Sequence, residues 1–281
     1  MRTRRKRKQQ WLLPIAGLVV ILAILIFLLV RCTAPAPAPA PEESPVETEP
    51  TTVTEVTIPT EPLTLEAFAA QNGLSMSAWP EELLELLEKN PETEAFVWNY
   101  PLQKDLEVDI DLSEYIGSDS VPLLLQWDPR WGYVEYTGKV MGLSGCGPTC
   151  LSMVCIYLLD DPQYTPKYIA AFAEENRYCS PSNGSFWTLI DEGGTKLGLD
   201  VQEIPLVENR IIENLEQGNP IICNVGAGFF TTTGHYIVIT EYADGYVKVN
   251  DPNSPSKSEQ MWNLTEVMEQ IRNLWVCKAP A

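Results

Sequence analysis

"LSGCGPTCLSMVC", residues 143–155, packs three of the chain's seven cysteines into thirteen residues. Downstream of Pro148, the apolar residues Leu151, Met153, Val154, Ile156 and Leu158 predict a helix over 148–159, with Cys150 and Cys155 inside it as buried, inert thiols. Cys146 stands apart. Gly145 and Gly147 leave the backbone around it free, and Pro148 suits a first helical turn, so the thiol sits at a helix N-terminus. There the positive end of the macrodipole and the unpaired N–H groups favour a thiolate, and the same donors can face an oxyanion. A structural metal site would need a second pair of ligands. The intervals between these cysteines hold three and then four residues, with no nearby histidine, so neither metal nor cofactor is expected.

A nucleophilic cysteine needs a base, and the chain contains a single histidine, His235. It opens a predicted strand in "TTTGHYIVITEY", residues 231–242, directly after a Thr/Gly loop. Strand register suggests a third member. Ile237 and Ile239 share the face of His235, and the next strand alternates Val247 and Val249. A two-residue turn at Asp244-Gly245 would set Ile239 against Asn250 and mismatch the apolar faces, whereas a three-residue loop, Ala243-Asp244-Gly245, pairs Ile239 with Val249 and Ile237 with Asp251. Asp251 then lies one diagonal step from His235, about 7–8 Å between strands, where it can orient the imidazole; Asn250 is the second choice.

Around these motifs the expected helices are 148–159, 165–176, 185–197 and 208–217, with a last one near 264–271. Strands are expected at 201–204, 220–225, 235–242, 246–250 and 274–278. Helices first and an antiparallel sheet later make an α+β domain over 121–281. Cys223 and Cys277 fall in strands and read as core, and Cys179 lies in a Pro/Ser/Asn-rich loop. No spacing suggests a disulfide framework.

Ahead of this domain the chain changes character three times. Residues 1–10 form a basic tail, and Trp11–Val30 is a charge-free run of twenty residues, long enough to span a bilayer as a single uncleaved signal anchor. Six cationic residues precede it and only Arg31 follows closely, which puts the N-terminus in the cytoplasm and everything after the anchor outside. Residues 31–62 form a disordered linker: Thr33–Pro62 holds eight prolines, six glutamates and seven threonines with no lysine or arginine. A helical preface covers 63–120, with Leu83, Leu84, Leu86 and Leu87 on one broad face of a helix starting at Pro80 and a restart after Pro91; it reads as a packing or positioning element. Beyond Lys8 the charge balance is 13 − 38 = −25, which repels phosphate backbones and argues against nucleic acid as a partner.

The ordered segments "VPLLLQWDPRWG", "GCGPTCLSMV", "NPIICNVG", "TTTGHYIVITEY" and "VNDPNS" together resemble the extracellular C39-like cysteine peptidases of Gram-positive bacteria, over about 121–276. "NPETEAFVWNYP" also resembles the stretch that precedes the domain in such anchored proteins. The resemblance implies a papain-like fold, Cys146 as nucleophile, His235 as base and then acid, Asp251 as orienter, and Gln126 as a side-chain donor to the oxyanion. It further implies a peptide or protein substrate. Gln126 stands twenty residues before Cys146, so the intervening segment has to make an excursion that returns it to the site. Phe229, Phe230, Thr231 to Thr233 and Trp131 are the expected cleft residues. Amidase or transpeptidase action on wall peptides would use the same residues, and the rival class is a silent binding or scaffolding module on this fold.

Overall fold

Ten consecutive residues, Gly147 to Ile156, are buried, so the helix that carries them is enclosed on every side. The computed structural model describes residues 64–280. The proposed anchor at 11–30, its basic flank, the linker to 62 and Cys32 lie outside the described residues.

The described chain opens with α1 (Leu65–Gln71), α2 (Glu81–Lys89) and α3 (Glu94–Gln103). Thr64 caps α1 by accepting from the Ala67 N–H, and Glu81 and Glu82 place negative charge in the first turn of α2. Leu83 is fully buried with Trp79, Phe96 and Val97, and Tyr133 joins them from the following domain. A hairpin, β1 (Glu135–Tyr136) and β2 (Lys139–Val140), then leads through α4 (Met141–Ser144) into α5 (Cys146–Leu159). Next come α6 (Pro166–Glu175), β3 (Cys179–Ser180), β4 (Gly184–Ser185), α7 (Asp191–Lys196), β5 (Asp200–Glu203) and α8 (Glu208–Leu215). The chain finishes with β6 (Ile221–Gly226), β7 (Gly234–Ala243), β8 (Tyr246–Asn250), α9 (Pro255–Ser258), β9 (Met261–Asn263), α10 (Leu264–Met268) and β10 (Ile271–Lys278).

Six of the strands form one antiparallel sheet in the order β5-β10-β6-β7-β8-β9. Side chains alternate across it, and both faces are covered. Ile222, Tyr236, Val238, Trp275 and Cys277 pack with α5 on one face. On the other, Ile221, Cys223, Ile237, Ile239, Val247 and Val249 pack with Ile211 and Leu215 of α8 and Leu264 and Val267 of α10. The expected mixture of helices and antiparallel sheet is therefore present.

Two local expectations are corrected. The stretch 185–197 is not one helix: Gly193 and Gly194 weaken it, and it divides into a 3₁₀ turn at Trp187–Leu189 and the short α7. The β7–β8 connection is a two-residue turn at Asp244-Gly245, both with positive φ (49° and 88°), and not the three-residue loop. Ile239 nevertheless faces Val249, because a β-bulge between Ile239 and Glu241 shifts the pairing by one residue.

The segment between Gln126 and Cys146 is clamped from two sides. Trp131 is fully buried and donates through Nε1 to the Leu125 carbonyl at 2.8 Å. Phe96 of α3 stacks on Tyr133 at 4.5 Å, and its ring occupies the space above Gly132 and Gly142: a Cβ on Gly142 would lie 2.5 Å from Phe96 Cζ. At Gly132 a Cβ would meet the ring at 2.7 Å and the Asp128 carbonyl at 2.9 Å, so main chain blocks any relief. Gly132→Ala is expected to destabilise the fold by roughly 1–3 kcal/mol, as overpacking does. For a chain of this size that lowers Tm by about 2–4 °C per kcal/mol in a thermal melt; an unchanged Tm would show that the interlock carries no strain.

Candidate active site

Cys146 is the first residue of α5, and Gly145 before it serves as the N-cap. Neither flanking glycine has a positive φ; what they supply is space. A Cβ on Gly145 would lie 2.6 Å from the Met141 carbonyl, and one on Gly147 2.5 Å from Ser185 Oγ. Ser185 is itself held by the Tyr136 hydroxyl at 2.7 Å, so the wall beside the thiol is fixed.

His235 sits near the start of β7, opposite Val225 of β6, and is 7% exposed. The bulge-corrected register puts Val238 against Asn250, and one residue beyond the end of β8 Asp251 comes level with Ile237 on the histidine's side. His235 Nε2 meets Asp251 Oδ1 at 2.7 Å. Asp251 has no exposed surface. The same Oδ1 accepts from the Asn253 N–H at 2.8 Å, while the Asp251 N–H donates to Ser258 Oγ at 2.9 Å. Asn250 faces elsewhere and donates through Nδ2 to the carbonyls of Val121 and Pro122, both at 3.1 Å, so it is not the partner of His235.

With Nε2 engaged by Asp251, Nδ1 is the ring nitrogen left to act on Cys146. Burial pushes the imidazole down, but the Asp251 carboxylate and then Cys146 outweigh it and raise the pKa from 6.5 to about 10. Burial likewise pushes the Cys146 thiol up. Hydrogen bonding and charge from His235, with backbone hydrogen bonds at Tyr236 and Gly147, more than reverse this and leave the thiol below its ordinary value. Cys150 and Cys155 have no such partners, and burial holds both well above the usual thiol range.

Gln126 is returned to the same place. It is 4% exposed, its backbone N–H donates to the Pro252 carbonyl at 2.7 Å, and its Nε2 donates to the Gly142 carbonyl at 2.8 Å. One Nε2 hydrogen is left over. Gln126, Cys146 and His235 all line a cleft of 820 Å³, together with Phe229, Phe230 and Thr231 to Thr233. Trp131, expected in the cleft, belongs instead to the core beneath. Sequence reasoning missed part of the wall. Leu86, Lys89, Asn90, Pro91 and Glu92 of the helical preface line the cleft too, which the reading of that segment as a packing or positioning element did not specify. Their periodicity explains a helix but carries no signal of what its end would face.

Residues 118–277 match the model of the Peptidase_C39 like family. Among solved structures, the peptidase domain of Streptococcus ComA, a bi-functional ABC transporter involved in a quorum sensing pathway, is similar at 21% identity, covering 49% of this chain and 93% of that one, with a TM-score of 0.39. A protein from Bacillus anthracis assigned as a C39-like peptidase is similar at 12% identity over 61% of this chain and 98% of that one, with a TM-score of 0.37. No curated protein matches.

The opposed shifts at Cys146 and His235 lead to a pH prediction. The raised imidazole stays protonated, and the lowered thiol ionised, in the window between the two values, so alkylation of Cys146 by iodoacetamide should persist well below pH 9.0, the ordinary thiol value. In His235→Ala burial is opposed only by the backbone hydrogen bonds at Tyr236 and Gly147 and the midpoint moves up, slowing the reaction at neutral pH by roughly tenfold for each unit. Peptide mapping reads the site, and Cys150 and Cys155 should stay unlabelled in the folded protein. Equal labelling of several cysteines would refute the pairing.

Proposed function

The chain belongs to the Peptidase_C39 like family, and from that premise we propose that it is a thiol peptidase that hydrolyses peptide bonds through Cys146, His235 and Asp251, held outside the cell by its N-terminal anchor. The observation that carries this reading is the contact of His235 Nε2 with the buried Asp251 carboxylate at 2.7 Å, with Cys146 lining the same cleft as that ring. The location rests on the charge-free run Trp11–Val30 and the cationic cluster before it.

In this mechanism the Cys146 thiolate attacks the scissile carbonyl, and the His235 imidazolium gives its proton to the leaving amine. The neutral imidazole then takes a proton from water, the hydroxide adds to the thioester, and Cys146 leaves as thiolate as its bond to the acyl carbon breaks. Asp251 keeps the ring in one tautomer and one orientation throughout. The tetrahedral oxyanion is met by the α5 N-terminus and by the second Nε2 hydrogen of Gln126, whose first hydrogen is tied to Gly142. Since the Gly142 bond already orients the amide, little rearrangement is needed when charge develops on the substrate oxygen.

Cleavage of a peptide library by the full-length chain, compared with Cys146→Ala, tests the reaction. Sequence-dependent hydrolysis that disappears in the variant is expected, whereas persistence in Cys146→Ala, or acyl transfer to an amine with no hydrolysis, would overturn it. Gln126→Ala should lower kcat by about 10²-fold with KM little changed, as the loss of one oxyanion donor does. A change confined to KM would remove Gln126 from that role.

A further inference from the structure

We propose that Asn90 and Glu92, which lie outside the family-matched region, are positioning residues for the active site, holding the loop from Asp251 to Ser256 from without and, through it, the orientation of His235. The proposal rests on the thiol peptidase reading. Asp251 is satisfied on one oxygen only: Oδ1 meets both His235 and the Asn253 N–H, while Oδ2 is buried with no partner. A carboxylate held at a single oxygen can swing about that point, so its aim at the imidazole depends on where residue 253 is kept.

Residue 253 is kept from the preface. Asn90 Nδ2 donates to the Asn253 carbonyl at 2.7 Å, with Trp127 Nε1 joining at 3.1 Å, while the N–H of the same residue points at Asp251. Three residues are thus linked in order, Asn90 to Asn253 to Asp251, and the last holds the ring that faces Cys146. A second tie acts on the neighbouring positions. The Glu92 carboxylate accepts from Ser254 Oγ and, at 2.9 Å, from the Ser256 N–H. Both residues are placed by one short turn: Asn90 Oδ1 accepts from the Glu92 N–H at 3.2 Å, and Pro91 starts the 3₁₀ turn.

Asn90 is uncharged, so its removal changes no charge in the site and any shift at Cys146 reports geometry. The titratable groups acting on the His235 ring are Cys146 and Asp251, Tyr236 lies beside the thiol, and Lys89, Glu92 and Lys257 line the same cleft; the Asn90 variant leaves all of them in place. The measurement is the pH midpoint of iodoacetamide alkylation at Cys146 in the full-length chain, taken with the thermal melt. Asn90→Ala and Glu92→Ala should each raise the midpoint by on the order of one unit, a reaction about tenfold slower below it, and in Glu92→Ala this runs against the downward shift that loss of a cleft carboxylate alone would give. Val97→Ala, which thins the same helical cluster away from the loop, serves as the control and should lower Tm while keeping the wild-type midpoint. Unchanged midpoints in Asn90→Ala and Glu92→Ala, or an equal shift in Val97→Ala, would overturn the proposal. Failure of the underlying reading looks different, because then wild type itself lacks selective labelling or His235→Ala has no effect.

Discussion

A carboxylate with no exposed surface is the constraint around which the rest of the site is arranged. Taking Asp251 out of water is tolerable only where a donor or cation stands fixed beside it, because the desolvation penalty of an unpaired buried charge runs to several kcal/mol. His235 is that partner, and the need works in both directions. The buried imidazole is kept protonated by the carboxylate, and the thiol below its ordinary value by the imidazole. Remove the carboxylate and the imidazole loses the largest contribution that opposes its burial, which weakens its hold on the thiol. The antiparallel sheet exists, in this sense, to bring residues 235 and 251 onto one face a diagonal step apart, and α5 to bring Cys146 to them.

Much of this arrangement was legible in the residues. One histidine in the chain leaves no choice of imidazole to pair with Asp251, and Gly-Cys-Gly-Pro marks a helix start without needing tertiary information. The strand 246–250 and the pairing of Ile239 with Val249 follow from alternation on a buried face. The pairing was nevertheless reached through the wrong device. Alternation constrains which faces meet, but it cannot separate an extra loop residue from a bulge further along, because both shift register by one. Similarly, β6 is apolar on both faces, so its alternation is hidden and only its length and flanking turns identify it as a strand.

What stayed illegible was chiefly long-range packing by small residues. The glycines at 145 and 147 read as torsional freedom, yet they are demanded by the Met141 carbonyl and by Ser185, contacts that local sequence cannot reveal. The preface read as an amphipathic helix looking for something to cover. Its buried residues do pack together, but the turn at its end, Asn90 to Glu92, faces the loop that follows Asp251. The family match begins at residue 118, and the resemblance of 90–101 to the stretch that precedes such domains named no contact, so the preface was not marked as a wall of the cleft.

The bulge near Thr240 makes the segment between His235 and Asp251 obey a rule of parity. With a two-residue turn and a single extra residue, the strand faces invert once and the imidazole and carboxylate end on the same side. With the turn held at two residues, adding or deleting one residue within either strand exchanges the two faces of β8, turning the carboxylate away and bringing Asn250 inward. Lineages that keep this pair can therefore lengthen or shorten the strands in even steps, or move the bulge along them, but an odd change within a strand must be matched by a second bulge or by a residue gained or lost in the turn.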